Sequence, residues 1–137
     1  DGKAFELLVR AGELGYAKAY CNVGYAYYNG DGVEIDTKKA NHYYKLAAIG
    51  GNVISRYNLG NNELRAGNMN RALKHYMIAA EGGHNNSLKK IQKLYTNGHA
   101  TKDDYAKALR AYQAYLAEIK SAQRDAAAAA HANYRYY

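Results

Sequence analysis

The chain repeats a spaced pattern of residues along its length. Eight positions of the first copy recur 68 residues later without a gap, and a shorter copy lies between the two. The first copy comprises Val23, Tyr27, Asn29, Gly30, Asp36, Lys39, Ala40 and Tyr44, and the later one Ile91, Tyr95, Asn97, Gly98, Asp104, Lys107, Ala108 and Tyr112. Repeats of this length indicate a stacked array, whose usual role is to present a binding surface.

The bulk composition restricts the class of protein. Of the 137 residues 48% are hydrophobic, but many of these are alanine or one of the 16 tyrosines, which favours closely packed helices. A single cysteine, Cys21, excludes an internal disulfide and fits a reducing compartment, so a cytoplasmic location is favoured. No apolar run is long enough for a membrane-spanning helix. The net charge of +7 comes from mixed signs, which is typical of a solvated helical surface.

Apolar residues recur at helical spacing in every unit, and no segment alternates as a strand does. We therefore predict an all-α fold, an α/α superhelical solenoid of helix-turn-helix repeats with about eight helices in antiparallel pairs. The alanine-rich segment near the C-terminus is expected to pack on the last pair as a cap. The predicted units are 1–15, the second helix of a truncated repeat; 16–51, 52–83 and 84–120, three repeats of which the second has a short loop; and 121–137, the capping helix and tail.

Small and polar residues are expected to shape the repeats locally. Gly24 and Gly60 leave room for a neighbouring helix to approach closely. Gly30 is placed to end a helix in the left-handed conformation. Asp36 and Asn68 stand where an N-cap is needed ahead of the second helix of each pair.

The first complete unit carries Ala19, Val23, Gly24, Tyr27, Gly30, Asp31, Gly32, Val33, Asp36, Lys39, Ala40, Tyr43, Tyr44, Ala47, Ala48 and Gly50. These residues resemble a Sel1-like repeat, a relative of the tetratricopeptide repeat. The second unit lacks the Gly-x-Gly-Val loop of that family, and the third has Gln92 in place of a glycine and lacks the Ala-Ala pair. The resemblance implies a right-handed superhelix and an adaptor role without chemistry.

By analogy with tetratricopeptide arrays, the first helices of the pairs should form a concave wall. Equivalent side chains would then line up in rows of amides and cations that hold an extended acidic or C-terminal peptide. The alternative is that they form only a solvated helix face. The rows are Asn22, Asn58 and Lys90; Tyr25, Asn61 and Lys93; and Asn29, Arg65 and Asn97, all but Asn97 being candidate peptide-binding residues.

Two other functions compete with this interpretation. Salt-dependent binding of nucleic acid would use the basic C-terminal half, although Asp103 and Asp104 interrupt it, and we rank it below the peptide groove. The absence of proline and tryptophan and the closeness to a family average also fit a designed or consensus-like protein with no evolved function. The basic residues are Lys89, Lys90, Lys93, Lys102, Lys107 and Arg110.

Catalysis, cofactors and metals find no support in the sequence. The five histidines never show the His-x-x-x-His spacing of a helical metal site, and Cys21 lies among small residues without a basic neighbour. We therefore predict a non-enzyme that needs no cofactor or metal.

The sequence begins halfway through a repeat, so the first helix of that repeat is expected to be missing. The absent helix would have covered Phe5, Leu7 or Leu8. An exposed apolar edge of this kind favours self-association, and a homodimer through it is predicted.

Overall fold

The computed structural model describes residues 2–134, and it contains seven helices and no strand in that part of the chain. Successive helices pack on each other, which confirms the predicted all-α repeat array. The helices are α1 (Gly2–Glu13), α2 (Ala17–Asn29), α3 (Thr37–Ile49), α4 (Val53–Arg65), α5 (Met69–Glu81), α6 (Asn85–Thr96) and α7 (Lys102–Tyr134).

Helix ends follow the local sequence at Gly30 and Asp36 but not at Asn68. Gly30 closes α2 with φ at +78°, and the Asp36 carboxylate accepts a hydrogen bond of 3.0 Å from the Lys39 backbone N–H at the start of α3. Asn68 stands at the N-cap of α5 but does not cap it with its side chain. Its amide instead donates to Glu63 Oε2 at 2.8 Å, so the predicted capping bond is wrong.

Helices of a pair approach closely because glycine faces a tyrosine ring. A Cβ atom on Gly24 would lie 2.7 Å from the Tyr44 ring, and one on Gly60 would lie 2.7 Å from the Tyr76 ring. Both rings are buried, and the equivalent alanines of α3, α5 and α7 are fully or almost fully buried beside them. The repeat signature thus encodes helix packing, as the sequence predicted. Those alanines are Ala40, Ala72 and Ala108.

The C-terminal region differs from the prediction. Helix α7 continues without a break past Lys120, and every side chain from 116 to 133 is exposed. The expected eighth helix, folded back as a cap, is therefore wrong. The reason is local: alanine, lysine, glutamate, glutamine and arginine all favour helix, and no glycine or proline interrupts them. The rest of the predicted tail, residues 135–137, lies outside the described residues.

The apolar side chains of the N-terminal helix α1 are covered only in part. Phe5 is half-buried and packs edge-to-face on Tyr27 with ring centroids 5.2 Å apart. Leu8 is also half-buried, whereas Leu7 is 59% exposed. Self-association through this edge stays a prediction. No helix between residues 2 and 134 combines the length and apolar character that crossing a membrane requires.

Candidate functional site: three equivalent clefts

Three clefts lie along the side of the array formed by α2, α4 and α6. Equivalent positions of successive repeats line them. Asn22 and Tyr25 of the first cleft stand 36 residues before Asn58 and Asn61 of the second, which stand 32 residues before Lys90 and Lys93 of the third. We call them the N-terminal cleft (Ala4, Phe5, Leu8, Asn22, Tyr25, Ala26 and Asp31), the central cleft (Tyr25, Tyr28, Asn29, Tyr44, Asn58, Asn61, Asn62 and Arg65) and the C-terminal cleft (Leu64, Met69, Lys90, Lys93, Leu94, Asn97 and His99).

All eight candidate residues line one of these clefts, but the structure distributes them unevenly. Asn22 lies in the N-terminal cleft, and Lys90 and Lys93 lie in the C-terminal cleft. Tyr25 borders both the N-terminal and the central clefts. The central cleft brings together Tyr25, Asn29, Asn58, Asn61 and Arg65.

The central cleft is small. It encloses about 130 Å³, whereas pockets for whole small-molecule ligands measure roughly 300–1,000 Å³. A cleft of this size accommodates one side chain or one backbone group of a longer partner.

A buried tyrosine fixes one amide of the central cleft. The Tyr76 side chain is fully buried, and its hydroxyl donates a 2.6 Å hydrogen bond to Asn61 Oδ1. Burial raises the pKa of Tyr76 to about 12, with Tyr57 adding to the increase and Arg65 opposing it, so the phenol stays a neutral donor. Because its oxygen is occupied, Asn61 offers its amide nitrogen to a partner as a donor.

The equivalent tyrosine of the preceding repeat has no such bond. Tyr44 corresponds to Tyr76, and Tyr25 stands where the second repeat has Asn61. The Tyr44 ring is buried, but its side chain lines the central cleft and its hydroxyl has no hydrogen-bond partner within residues 2–134. Burial, reinforced by Cys21, Tyr28 and Tyr25 and opposed by Arg65, raises the pKa of Tyr44 to about 12. Tyr44 therefore contributes a neutral hydroxyl to this cleft.

The guanidinium of Arg65 is held by a relay of amides. Arg65 Nη1 donates to Asn62 Oδ1 at 2.9 Å, and Asn62 Nδ2 donates to Asn41 Oδ1 of α3 at 2.6 Å. The guanidinium also lies 5.5 Å from the centroid of the Tyr28 ring. These contacts use one of its five N–H groups in a hydrogen bond and leave others for a ligand.

The side-chain amide of Asn29, a predicted peptide-binding residue, is partly used within its own helix. Its Nδ2 group donates at 3.1 Å to the backbone carbonyl of Tyr25, one turn earlier in α2. Its main interaction is therefore with its own helix end. Asn58 has no hydrogen-bond partner in the described part of the chain, so its whole amide is free for a ligand.

The central cleft thus combines three kinds of donor, namely amide, hydroxyl and guanidinium, and none of the described side chains that line it is a carboxylate. Within the described residues, no group of three or more histidine, cysteine, aspartate or glutamate side chains is placed to hold a metal ion.

Comparison with known proteins identifies the family. The sequence family model of the Sel1 repeat matches residues 1–16, 17–52 and 54–84, which together make up more than half of the chain. The chain belongs to the Sel1 repeat family. Proteins of this family generally mediate protein–protein interaction and are typically non-catalytic scaffolds. A comparison with curated proteins finds no match.

Two solved structures with the Sel1 repeat fold are similar to this chain. A Sel1 repeat protein from Oxalobacter formigenes is 28% identical, with a TM-score of 0.69 over 85% of this chain and 50% of the other. The protein c5321, a protective antigen of uropathogenic Escherichia coli strains, is 30% identical, with a TM-score of 0.65 over 82% of this chain and 25% of the other. The chain therefore spans half of the first protein and a quarter of the second.

The sequence missed several residues of this Sel1 repeat face. Tyr28 and Asn62 each lie one position from a predicted row member, and the signature assigned Tyr44 to the core, where its ring does lie. Leu64 and Met69 line the C-terminal cleft from the end of α4 and the start of α5. Leu64 is the equivalent of Tyr28, 36 residues earlier, but neither position belonged to a predicted row.

Asp104, one of the two acids that interrupt the basic residues of the nucleic-acid alternative, has a structural role at a helix start. Asp104 Oδ2 accepts from the Thr101 backbone N–H at 3.0 Å, and the Asp104 N–H donates to Thr101 Oγ1 at 3.0 Å. This reciprocal pair caps the start of α7, which gives Asp104 a role in helix formation.

Proposed function

We propose that this Sel1 repeat array is a non-catalytic scaffold that binds an extended segment of a protein partner along its three clefts. The partner segment is acidic or presents its C-terminal carboxylate at the central cleft. The clefts repeat at equivalent positions, which suits a peptide that runs across successive repeats and places one group in each.

The observation that carries the proposal is the convergence of donors in the central cleft. The Arg65 guanidinium is restrained by Asn62 and Tyr28, the Asn61 amide is oriented by Tyr76, and the Tyr44 hydroxyl lacks a partner among the described residues. Restrained donors lose little side-chain entropy on binding. Because no carboxylate of the described chain lines this cleft, an acidic group from a partner would complete it.

A peptide-binding experiment tests the proposal. Fluorescent peptides are compared as matched sets: acidic against neutral, and free against amidated C-terminus. We expect the wild-type chain to prefer the carboxylate-bearing members. Arg65→Gln should weaken that binding by roughly tenfold or more, since a hydrogen bond to a charged group contributes about 1.5–3 kcal/mol.

Arg71→Gln is the matched control, since Arg71 is exposed on α5 and does not line the central cleft. Its affinity should equal that of the wild type. Equal binding of acidic and neutral peptides, or equal weakening by both arginine variants, would contradict the proposal.

A further inference from the structure

The C-terminal cleft has different chemistry from the central cleft although it lies one repeat further along. Leu64 stands at the position of Tyr28, and Lys90 and Lys93 stand at the positions of Asn58 and Asn61. Hydroxyl and amide groups of the central cleft are thus replaced by an aliphatic side chain and two ammonium groups. The same backbone frame presents two kinds of surface.

The apolar part of this cleft is formed by three side chains. Leu94 is 5% exposed, and Leu64 and Met69 are half-buried around it at the meeting point of α4, α5 and α6. The cleft encloses about 180 Å³, which is below the roughly 300 Å³ where whole-ligand pockets begin. A single aliphatic side chain is the occupant that matches this size and surface.

The charges at the edge of the cleft are all positive. Within residues 2–134, Lys90 and Lys93 form no ion pair and no carboxylate lines the cleft. Glu63 of α4 accepts a hydrogen bond of 2.8 Å from the Asn68 side-chain amide and does not line the cleft. Two uncompensated ammonium groups beside an apolar surface are complementary to an aliphatic residue with acidic neighbours.

The two clefts adjoin at the end of α4. Arg65 lines the central cleft and the preceding residue, Leu64, lines the C-terminal cleft. A chain that crosses the C-terminal end of α4 therefore contacts both.

We propose that the C-terminal cleft binds an aliphatic side chain of the partner, flanked on the partner by carboxylates that face Lys90 and Lys93. This inference rests on the proposed function and specifies it. The partner segment carries an acidic-aliphatic-acidic motif next to the group held in the central cleft.

Methionine NMR tests the inference directly, because the chain has two methionines. Met69 lines the cleft, whereas Met77 is half-buried elsewhere on α5 and serves as an internal control. With ¹³C-methyl methionine, we expect the acetylated and amidated peptide Gly-Ser-Glu-Leu-Glu-Ser-Gly to shift the Met69 signal and leave Met77 unchanged. Replacing the leucine of the peptide by serine, or both glutamates by glutamine, should each weaken binding roughly tenfold.

Protein variants supply the matched comparison. Lys90→Gln combined with Lys93→Gln should weaken binding of this peptide by roughly tenfold and remove most of its salt dependence. Lys89→Gln is the control, since Lys89 is exposed on the same helix and does not line the cleft. Equal effects of the double variant and the control would overturn the inference.

The two proposals fail in different ways. If the peptide shifts the side-chain amide signals of Asn58 and Asn61 but not Met69, the C-terminal subsite is wrong and the central cleft remains a peptide site. If a serine-containing peptide shifts Met69 as strongly as the leucine peptide does, the aliphatic subsite is also wrong. If none of these signals responds to any of the peptides, both proposals fail.

Discussion

The first and second complete repeats pack an equivalent tyrosine ring in the same way, but the hydroxyl groups of the two tyrosines differ in their hydrogen bonds. Tyr44 and Tyr76 each cover a glycine of the preceding helix, and both rings are buried. The Tyr76 hydroxyl donates to Asn61, whereas Tyr25 stands at the equivalent position of the first repeat and the Tyr44 hydroxyl has no hydrogen-bond partner within residues 2–134. The packing of the tyrosine ring on the glycine is thus common to both repeats, whereas the hydrogen bonding of the hydroxyl differs between them.

The clefts likewise share equivalent positions and differ in the chemistry of their side chains. The positions that line them are equivalent, but the central cleft is rich in amides and the C-terminal cleft combines aliphatic and ammonium groups. Packing between helices constrains the backbone and the small residues closely, because interiors are dense. The rims of the clefts carry no such constraint, so they can differ from one repeat to the next.

Replacing each tyrosine by phenylalanine tests the first comparison and should give the largest effect. Tyr76→Phe removes a buried hydrogen bond and leaves Asn61 Oδ1 without its donor, so we expect a loss of about 1–2 kcal/mol in the free energy of unfolding. Tyr44→Phe removes a hydroxyl that has no partner in the described chain and should cost less than about 0.5 kcal/mol. Urea denaturation measures both, and equal losses would show that the two hydroxyls are equivalent.

The serines at the start of α4 and α6 extend the comparison to the third repeat. Both are fully buried, but the Ser55 hydroxyl has no hydrogen-bond partner among residues 2–134, whereas Ser87 Oγ lies 2.7 Å from His84 Nδ1. Ser55→Ala should stabilise the chain by about 1 kcal/mol, because an unsatisfied buried hydroxyl is removed and the first repeat already has Ala19 there.

Ser87→Ala is the matched variant and should destabilise the chain by about 0.5–1 kcal/mol through loss of its bond to His84. Thermal or urea unfolding measures both changes. Shifts of the same sign would contradict the difference in hydrogen bonding between the two repeats.

The caps of α4 and α6 give the smallest expected effect, which appears as a pH dependence. Asn52 Oδ1 accepts from Ser55 N–H at 2.8 Å, and at the equivalent position His84 Nδ1 accepts from Ser87 N–H at 3.2 Å. Burial lowers the pKa of His84 below its ordinary 6.5, so the unfolded chain takes up the proton first. Stability from this group is therefore present above pH 6.5 and decreases as the pH falls through that value towards the folded pKa.

The variant His84→Asn places at the start of α6 the residue type that caps α4, and asparagine does not titrate. Its unfolding free energy should fall less than that of the wild type between about pH 7.5 and 5.5. Burial, with Arg56 and Lys45 adding and Glu63 opposing, also lowers the pKa of His75, so His75→Gln should remove a further part of the slope. An unchanged slope in His84→Asn would exclude the cap as a source of the pH dependence.

The sequence allowed most of the fold to be predicted, because small residues and helix ends act locally. Gly24 and Gly60 indicated close helix contacts, and Asp36 indicated a helix start, without knowledge of the partners. The same local reasoning failed at Asn68, because its side-chain amide donates a hydrogen bond to Glu63 and does not cap the start of α5. It also failed after Lys120, where a strong helix former was taken for a separate cap and α7 simply continues.

The candidate site was predictable only in part. Repeat periodicity placed equivalent residues on one side of the array, and all eight candidates line clefts there. Which of their atoms remain available was not predictable. Asn61 is engaged by Tyr76 from the other helix of its pair, and Arg65 is restrained through Asn62 by Asn41, which lies 21 positions from Asn62 in the chain.

The sequence by itself determined that this chain is a helical array of the Sel1 repeat family, since helix packing repeats with the residues that cause it. Only the tertiary structure decided which polar groups are satisfied and which face a cleft. The physical reason is that hydrogen bonds between side chains require atoms within about 3 Å, and a periodic pattern specifies the face of a helix but not such distances.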